Sequence, residues 1–286
     1  MHYVSTFNDR ALVPNPLYHD HSHGYTQAAL VDHTSGSVHT GLSLAQLAAG
    51  GTLAPHVHSY EESFYILSGE AIVAVNDKSC RLGPGDYGCL KVGTLHAWRA
   101  EGSAPVRWLQ MAAPQPKPPG MERDTFFKKN AQALSEAGPL DLKNLDGSLL
   151  GHFDVSQIPP GEEGRLVSGG LKGVFLKWLV DEPFGAVHHR LLFIEYLPGV
   201  GIGLHDHGYE EAYFILSGEI EAILDGKRYL AGPGDVLWTA TGCVHAFKNI
   251  GREPVRWLET FSPQPPRENV FRFMAEWDQK ARELEG

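Results

Sequence analysis

His56-Val57-His58-Ser59-Tyr60-Glu61-Glu62 returns 149 positions later as His205-Asp206-His207-Gly208-Tyr209-Glu210-Glu211. The match extends outward from that stretch. Residues 50–116 align with 199–265 without a gap, and 28 of the 67 positions are identical. The blocks ILSGE (66–70 and 215–219), GPGD (83–86 and 232–235), PVRWL (105–109 and 254–258) and PQP (114–116 and 263–265) all recur. Agreement of that length without insertion means two copies of one unit in tandem. Within each copy, residues 64–67 and 213–216 are short β-prone runs that stop at Ser-Gly, and 71–75 and 221–224 return. Asn76-Asp77 and Asp225-Gly226 are hairpin turns between them, and GPGD is a second tight turn. Short strands with a turn about every ten residues predict an all-β sandwich or barrel, once per copy.

The composition narrows the function. The chain has 286 residues, 42% hydrophobic and 20% charged, with 24 Lys plus Arg against 34 Asp plus Glu and a net charge of −10. An acidic chain without a basic run predicts no nucleic-acid partner. Its apolar runs are broken well short of the roughly 18 residues of a membrane span, so no membrane is expected. The opening MHYVSTFNDR has no basic start followed by an apolar stretch, and Cys80, Cys89 and Cys243 are few, odd in number and widely spaced. Both features predict a cytoplasmic protein without a disulfide framework. Fifteen histidines are the figure that demands chemistry.

His56, His58 and Glu62 are separated by even numbers, which on a strand puts them on one face. Phe64 and Ile66 continue that face, so the imidazoles and the carboxylate point inward against apolar walls. His96 follows after the GPGD turn. The second copy repeats the set as His205, His207, Glu211 and His245, walled by Tyr213 and Ile215. Burying such groups together is costly without compensation, and a divalent metal supplies it. Four protein donors leave two cis positions of an octahedron open, as a catalytic site needs. The absence of thiolates argues against structural zinc.

These residues resemble the two motifs of the cupin superfamily. The first, G-x5-H-x-H-x3,4-E-x6-G, is met by Gly50, His56, His58, Glu62 and Gly69, and by Gly199, His205, His207, Glu211 and Gly218. The second, G-x5-P-x-G-x2-H-x3-N, is met by Gly85, Gly93 and His96, and by Gly234, Gly242, His245 and Asn249. Lys91 and Ala240 replace its proline and Ala100 its asparagine, at positions that shape turns. The resemblance implies a bicupin of two tandem jelly-roll β-barrels with a few short helices after each. Each barrel would carry a three-histidine, one-glutamate metal site, up to two metals per chain. Fe(II) or Mn(II) is expected, with Ni, Zn and Cu as alternatives. Glu62 and Glu211 would double as proton acceptors.

The implied function is a metal-dependent enzyme acting on a small molecule, foremost a dioxygenase of an enolisable, phenolic or diol substrate, resembling quercetin- and gentisate-type bicupins. The x3 spacing before the glutamate differs from the x4 of the quercetin type. The alternatives are a non-redox hydrolase of the ureidoglycine aminohydrolase kind, a decarboxylase or isomerase, and a non-catalytic binding cupin. A homodimer is also implied. Domain boundaries follow as a first barrel with its arm at 1–116, a proline-rich linker and helix at 117–150, a second barrel at 151–265, and a helix at 266–286.

Other residues are expected to serve packing. Glu61 and Glu210 have the opposite parity and are expected outward, as solvated charges. Tyr60 and Tyr209 share the inward parity, as rim residues or hydrogen-bond donors to the pocket. Trp98 and Phe247 should pack on the last histidine, and Arg107 and Arg256 should form ion pairs. Cys243, two residues before His245, is expected to be inert filling. The stretch Tyr18-His19-Asp20-His21-Ser22-His23 reads as an ordered arm or lid. Residues 124–137 read as a helix, as does the stripe Val270, Phe273, Trp277, Ala281 and Leu284, with Asn269 as its N-cap.

Overall fold

Turns lay out both copies. Gly69 and Gly218 have φ of +74° and +80°. A Cβ on either would run into the backbone of Pro105–Val106 or Pro254–Val255, so only glycine closes the ILSG turn. Asp225 (φ 46°) and Gly226 (φ 76°) both take left-handed backbone, as the type I′ hairpin requires. In GPGD the aspartate locks the turn. Asp86 accepts from the Gly83 N–H at 2.7 Å and Asp235 from the Gly232 N–H at 2.8 Å.

The computed structural model describes residues 1–76, 78–118, 120–128, 149–159, 166–167, 171–265 and 271–285. The strands begin with β1 (His2–Thr6), β2 (Ser22–Val31), β3 (Gly41–His58), β4 (Glu61–Ser68), β5 (Glu70–Val75), β6 (Lys78–Leu82), β7 (Asp86–Leu90), β8 (His96–Glu101) and β9 (Val106–Ala113). Next come β10 (Thr125–Phe127), β11 (Leu150–His152), β12 (Leu166–Val167), β13 (Leu171–Lys172), β14 (Val174–Val180), β15 (Arg190–Tyr196), β16 (Gly201–Asp206) and β17 (Glu210–Ser217). The second copy closes with β18 (Ile220–Leu224), β19 (Lys227–Ala231), β20 (Asp235–Thr239), β21 (His245–Asn249), β22 (Val255–Ser262) and β23 (Arg272–Phe273), followed by one helix, α1 (Met274–Glu285).

The fold is all-β, as expected, with two tandem jelly-roll barrels. In the first, β3 serves both faces: residues 41–47 pair with β9, and 52–56 pair with β8. The sheet therefore runs β11-β7-β4-β9-β3-β8-β5-β6, with β2 and β10 also on β3. In the second copy the equivalent long strand is split into β15 and β16 by Leu197-Pro198-Gly199. Proline has no N–H to donate to a ladder. Two separate sheets result, β1-β20-β17-β22-β15-β14 and β19-β18-β21-β16-β23. Alternation fills each barrel. Phe64, Ile66, Trp98 and Trp108 pack in the first, and Tyr213, Ile215, Phe247 and Trp257 in the second. A third cluster joins Tyr65, Leu109 and Met111 to Phe193, Phe214 and Trp238, and forms the seam between the barrels.

The two copies exchange edges. β1, at the start of the chain, pairs with β20 of the second barrel, and β11 pairs with β7 of the first. The seam also overturns the expectation that Glu61 and Glu210 are solvated. Both do point out of their own barrels, but the other barrel covers that face and leaves them 1% and 3% exposed. Glu61 accepts from the backbone N–H groups of Val187 (2.9 Å) and His188 (3.1 Å) and lies 2.9 Å from Nδ1 of His189. Glu210 accepts from the Ser37 hydroxyl (2.6 Å) and the N–H groups of Val38, His39 and Thr40 at 2.9 to 3.1 Å. Gln115 and Gln264 repeat the symmetry, donating to the carbonyls of Ser37 and Ala186.

One expected helix is replaced by a strand. Thr125–Phe127 form β10 on His56–His58, because a β-branched residue and two aromatics suit a half-buried edge better than a helix; residues 129–137 lie outside the described residues. The second expected helix begins later than its stripe. Phe273 belongs to β23, Trp277, Ala281 and Leu284 lie on α1, and Val270 and Asn269 lie outside the described residues. Among the described residues, no helix is long and apolar enough to cross a membrane.

Candidate metal centres

The end of β3, the turn after it and the start of β8 build the first centre. Residues 56 and 96 are cross-strand partners, as are 205 and 245 in the second copy. The strand periodicity then brings His58 and His207 to the same side. The imidazoles of His56, His58 and His96 each place one nitrogen within 4.8 Å of the others, and so do those of His205, His207 and His245. All six are 1–4% exposed. The carboxylates join them, with Glu62 Oε2 3.2 Å from His58 Nε2 and Glu211 Oε2 2.8 Å from His207 Nε2 and 3.4 Å from His245 Nε2. The eight side chains that the sequence singles out therefore converge as two sets of four.

Each imidazole is held by its Nδ1. In the first barrel His56 meets the Ala54 carbonyl (2.7 Å), His58 the Thr125 hydroxyl (2.9 Å) and His96 the Thr94 carbonyl (2.9 Å). In the second, His205, His207 and His245 meet the carbonyls of Gly203, Tyr209 and Cys243 at 2.8, 3.3 and 2.9 Å. A carbonyl can only accept, and the Thr125 hydroxyl gives its own proton to Asp124 at 3.2 Å, so the proton sits on Nδ1 and Nε2 keeps its lone pair. The Nε2 atoms of His58, His96 and His207 are buried and have no hydrogen-bond partner. Orphaned lone pairs aimed at one point beside a carboxylate fit a divalent cation.

Protonation follows the same logic. Burial, then the neighbouring imidazoles, pushes His56 well below its ordinary value and His96 down to about 4. Burial and His245 likewise push His205 down to about 4. For Glu62 burial acts upward, yet His58 and His96 overcome it and hold the carboxyl down; His207 and His245 do the same for Glu211. His245 is raised, because Glu211 outweighs its burial.

The sequence reading missed the residues that steady these sets. Gln110 donates to Glu62 at 2.6 Å. At the equivalent position the second barrel has Glu259, whose carboxyl is pushed well above its ordinary value by burial and by Glu211, so it too carries a proton. Tyr213 donates to Glu211, and Trp257 Nε1 to Glu259 at 3.0 Å. Tyr18, from the histidine-rich arm, meets His56 edge-on at 5.7 Å, and His21 stacks on Phe127 at 3.8 Å. The mismatch of Gln110 and Glu259 within the repeat was the one available signal. Nothing in the arm marked Tyr18.

The remaining candidates resolve as packing. Tyr60 and Tyr209 stack on His58 and His207 at 4.4 and 4.0 Å. Trp98 stacks on Trp108, and Phe247 meets His245 at 5.7 Å. Arg107 pairs with Asp9 at 3.0 Å and Arg256 with Glu195 at 2.7 Å. The Cys243 thiol is pushed up to about 12 by burial and Asp225, which makes it inert. Beside it, both ring nitrogens of His2 are already occupied, by Asp225 (3.2 Å) and the Tyr229 hydroxyl (2.8 Å).

A cavity of about 400 Å³ adjoins the first set. Its wall includes Tyr18, Tyr60, Gln110 and Thr125, each of which touches one of the four converging side chains.

Known proteins share this architecture. A family model described as "Cupin domain" matches twice, over residues 43–111 and 192–261. The polyketide synthase CurC of Streptomyces cyaneus is 26% identical over 118 residues, which is 41% of this chain and 72% of that protein. An oxalate decarboxylase of Lactobacillus farciminis, in a formate complex, superposes with a TM-score of 0.65 at 17% identity, covering 96% of this chain and 89% of that one. Protein Ylba from E. coli gives 0.64 at 14%, covering 94% and 93%. Salicylate 1,2-dioxygenase from Pseudoaminobacter salicylatoxidans gives 0.60 at 13%, covering 79% and 71%.

Proposed function

The chain is a bicupin, a two-barrel member of the cupin superfamily, and on that premise we propose a divalent-metal-dependent enzyme that acts on a small organic molecule. Its foremost activity is dioxygenation of an enolisable, phenolic or diol substrate. One observation carries the metal-dependent reading: in both barrels three Nδ1-anchored imidazoles converge beside a buried carboxylate, with His58 Nε2 near Glu62 and the Nε2 atoms of His207 and His245 near Glu211. His56, His58, Glu62 and His96 would hold one metal, and His205, His207, Glu211 and His245 a second. Fe(II) or Mn(II) suits imidazole and carboxylate donors with open positions. A bound metal would supply a Lewis acid that stabilises negative charge on a substrate oxygen.

The protein's own groups do the rest. Glu62 is ionised and accepts the proton that a substrate hydroxyl gives up. Gln110, donating at 2.6 Å, fixes which Glu62 oxygen is free. Tyr60 is held well above its ordinary value by burial, Tyr18 and Glu62, so it stays a neutral wall and donor. Apolar packing around the set (Phe64, Trp98 and Leu90) keeps bulk water out.

Oxygen uptake by the Fe(II) or Mn(II) protein, across vicinal-diol, catecholic and β-dicarbonyl compounds, tests the proposal. Substrate-dependent uptake is expected. Turnover of such a compound without uptake moves the assignment to a hydrolase, decarboxylase or isomerase. We also propose a homodimer, with Trp277 and Leu284 of α1, exposed in the single chain, in its contact; sedimentation reads it directly.

A further inference from the structure

The repeat places the inner walls of the two barrels in strict register, and they differ where a substrate would enter. In the first barrel Ala29 is opposite Ser43, Gln27 opposite Ala45, and Gly41 opposite Ala112. The partners 149 positions on are Trp178 opposite Leu192, Leu176 opposite Ile194, and Arg190 opposite Phe261. The cross-strand pairing is the same and the side chains are not. On the first wall glycine, alanine, serine and glutamine border the cavity of about 400 Å³. On the second wall the Arg190 guanidinium lies over the Trp178 ring at 5.0 Å and the Phe261 ring at 5.9 Å. Phe261 meets Trp178 at 5.8 Å and stacks on Tyr209 at 4.6 Å. Tyr209 is the counterpart of Tyr60, which in the first barrel borders the cavity.

We propose that the barrels divide the work: the first takes the substrate, an uncharged hydroxylated molecule of about one ring, while the second is closed by its own side chains. This rests on the metal-enzyme reading above and says which of the two sets turns over.

Size and polarity give the substrate class. A volume near 400 Å³ is at the small end of ligand sites. Tyr18 and Tyr60 offer flat faces. Asn15 donates to Gln27 (2.8 Å) and Gln27 to Ser43 (2.8 Å), which makes a strip of neutral hydrogen-bonding groups along the wall. The cavity's cationic side chains, Lys117 and Arg123, lie exposed at its outer edge. Three carboxylates, Asp32, Glu122 and Asp124, also border the cavity, so a dianion would enter against like charge, and hydroxyl groups would find both donors and acceptors.

Calorimetric titration of the metal-loaded full chain with catechol, with metal content measured on the same samples, tests this. One catechol per chain is expected. Ala112→Phe, which installs the second barrel's side chain in the first, is expected to weaken binding at least about tenfold while leaving two metals. Gln27→Leu, a smaller change of the same kind, weakens it too and covers the case that Ala112→Phe does not fold. Phe261→Ala, which installs the first barrel's small side chain in the second, leaves the affinity of the first barrel unchanged. Two catechols per parent chain, undiminished binding in both first-barrel variants, or loss of binding in Phe261→Ala would overturn the division of work. Oxalate binding in place of catechol would overturn the substrate class. A chain that takes up no metal would overturn the metal-enzyme reading itself, and the elemental measurement separates that result from the others.

Discussion

Glu61 of the first barrel lies 2.9 Å from Nδ1 of His189 in the second, and the two side chains are 1% and 2% exposed. The next residue, Glu62, points the other way, into the barrel beside His58. Period-two alternation thus lets adjacent carboxylates do separate jobs, one at the site and one at the seam. Glu210 and Glu211 repeat the arrangement. Site and seam are coupled through one strand in each barrel.

The clasp should matter for stability. Glu61→Ala leaves the N–H groups of Val187, His188 and His189 without their acceptor. Leaving a buried donor unsatisfied costs about 1–3 kcal/mol. Denaturant unfolding is expected to show a loss of that order, with metal content per folded chain unchanged. A loss below about 0.5 kcal/mol would mean that the clasp is incidental.

Gln110 and Glu259 should respond differently to exchange. Glu259 already carries a proton, so Glu259→Gln keeps its size and its donor, and is expected to change stability by no more than about 0.5 kcal/mol. Gln110→Leu strips Glu62 of its donor and should weaken metal binding about 10–100-fold. Metal affinities by competition with a chelator would decide. Equal effects of both changes would contradict the assignment.

Acid should loosen the metal-free chain. His96 and His205 protonate at about 4 when folded but at 6.5 when unfolded, and His56 lies well below 6.5. Below pH 6.5 the unfolded chain therefore binds more protons, and stability falls until pH reaches about 4. Each such histidine contributes about 1.4 kcal/mol per pH unit. His245 and Glu259, shifted upward, act in the opposite sense. Urea midpoints taken on either side of pH 6.5 should drop toward acid, and flat midpoints would show that these histidines do not sit buried and neutral.

The fold and the eight converging side chains were legible because both rest on local pattern. Even spacing fixes a strand face, and a gapless repeat tests it twice. Glu61 shows where that ends. Its parity was right, yet what covers the outer face depends on how the two barrels pack, and no local spacing encodes that. Residues 125–127 were misread because Thr125 and Phe127 pair with the far end of β3, a long-range contact that overrides helical spacing. The arm residue Tyr18 and the β1–β20 pairing belong to the same class.

Metal per chain, measured by elemental analysis of tag-free protein, tests the central claim most directly. The comparison is between the parent, the His56→Ala/His58→Ala pair and the His205→Ala/His207→Ala pair. The parent is expected to hold two equivalents of iron or manganese, and each variant should lose one. Unchanged metal content in both variants would contradict the ligand assignment.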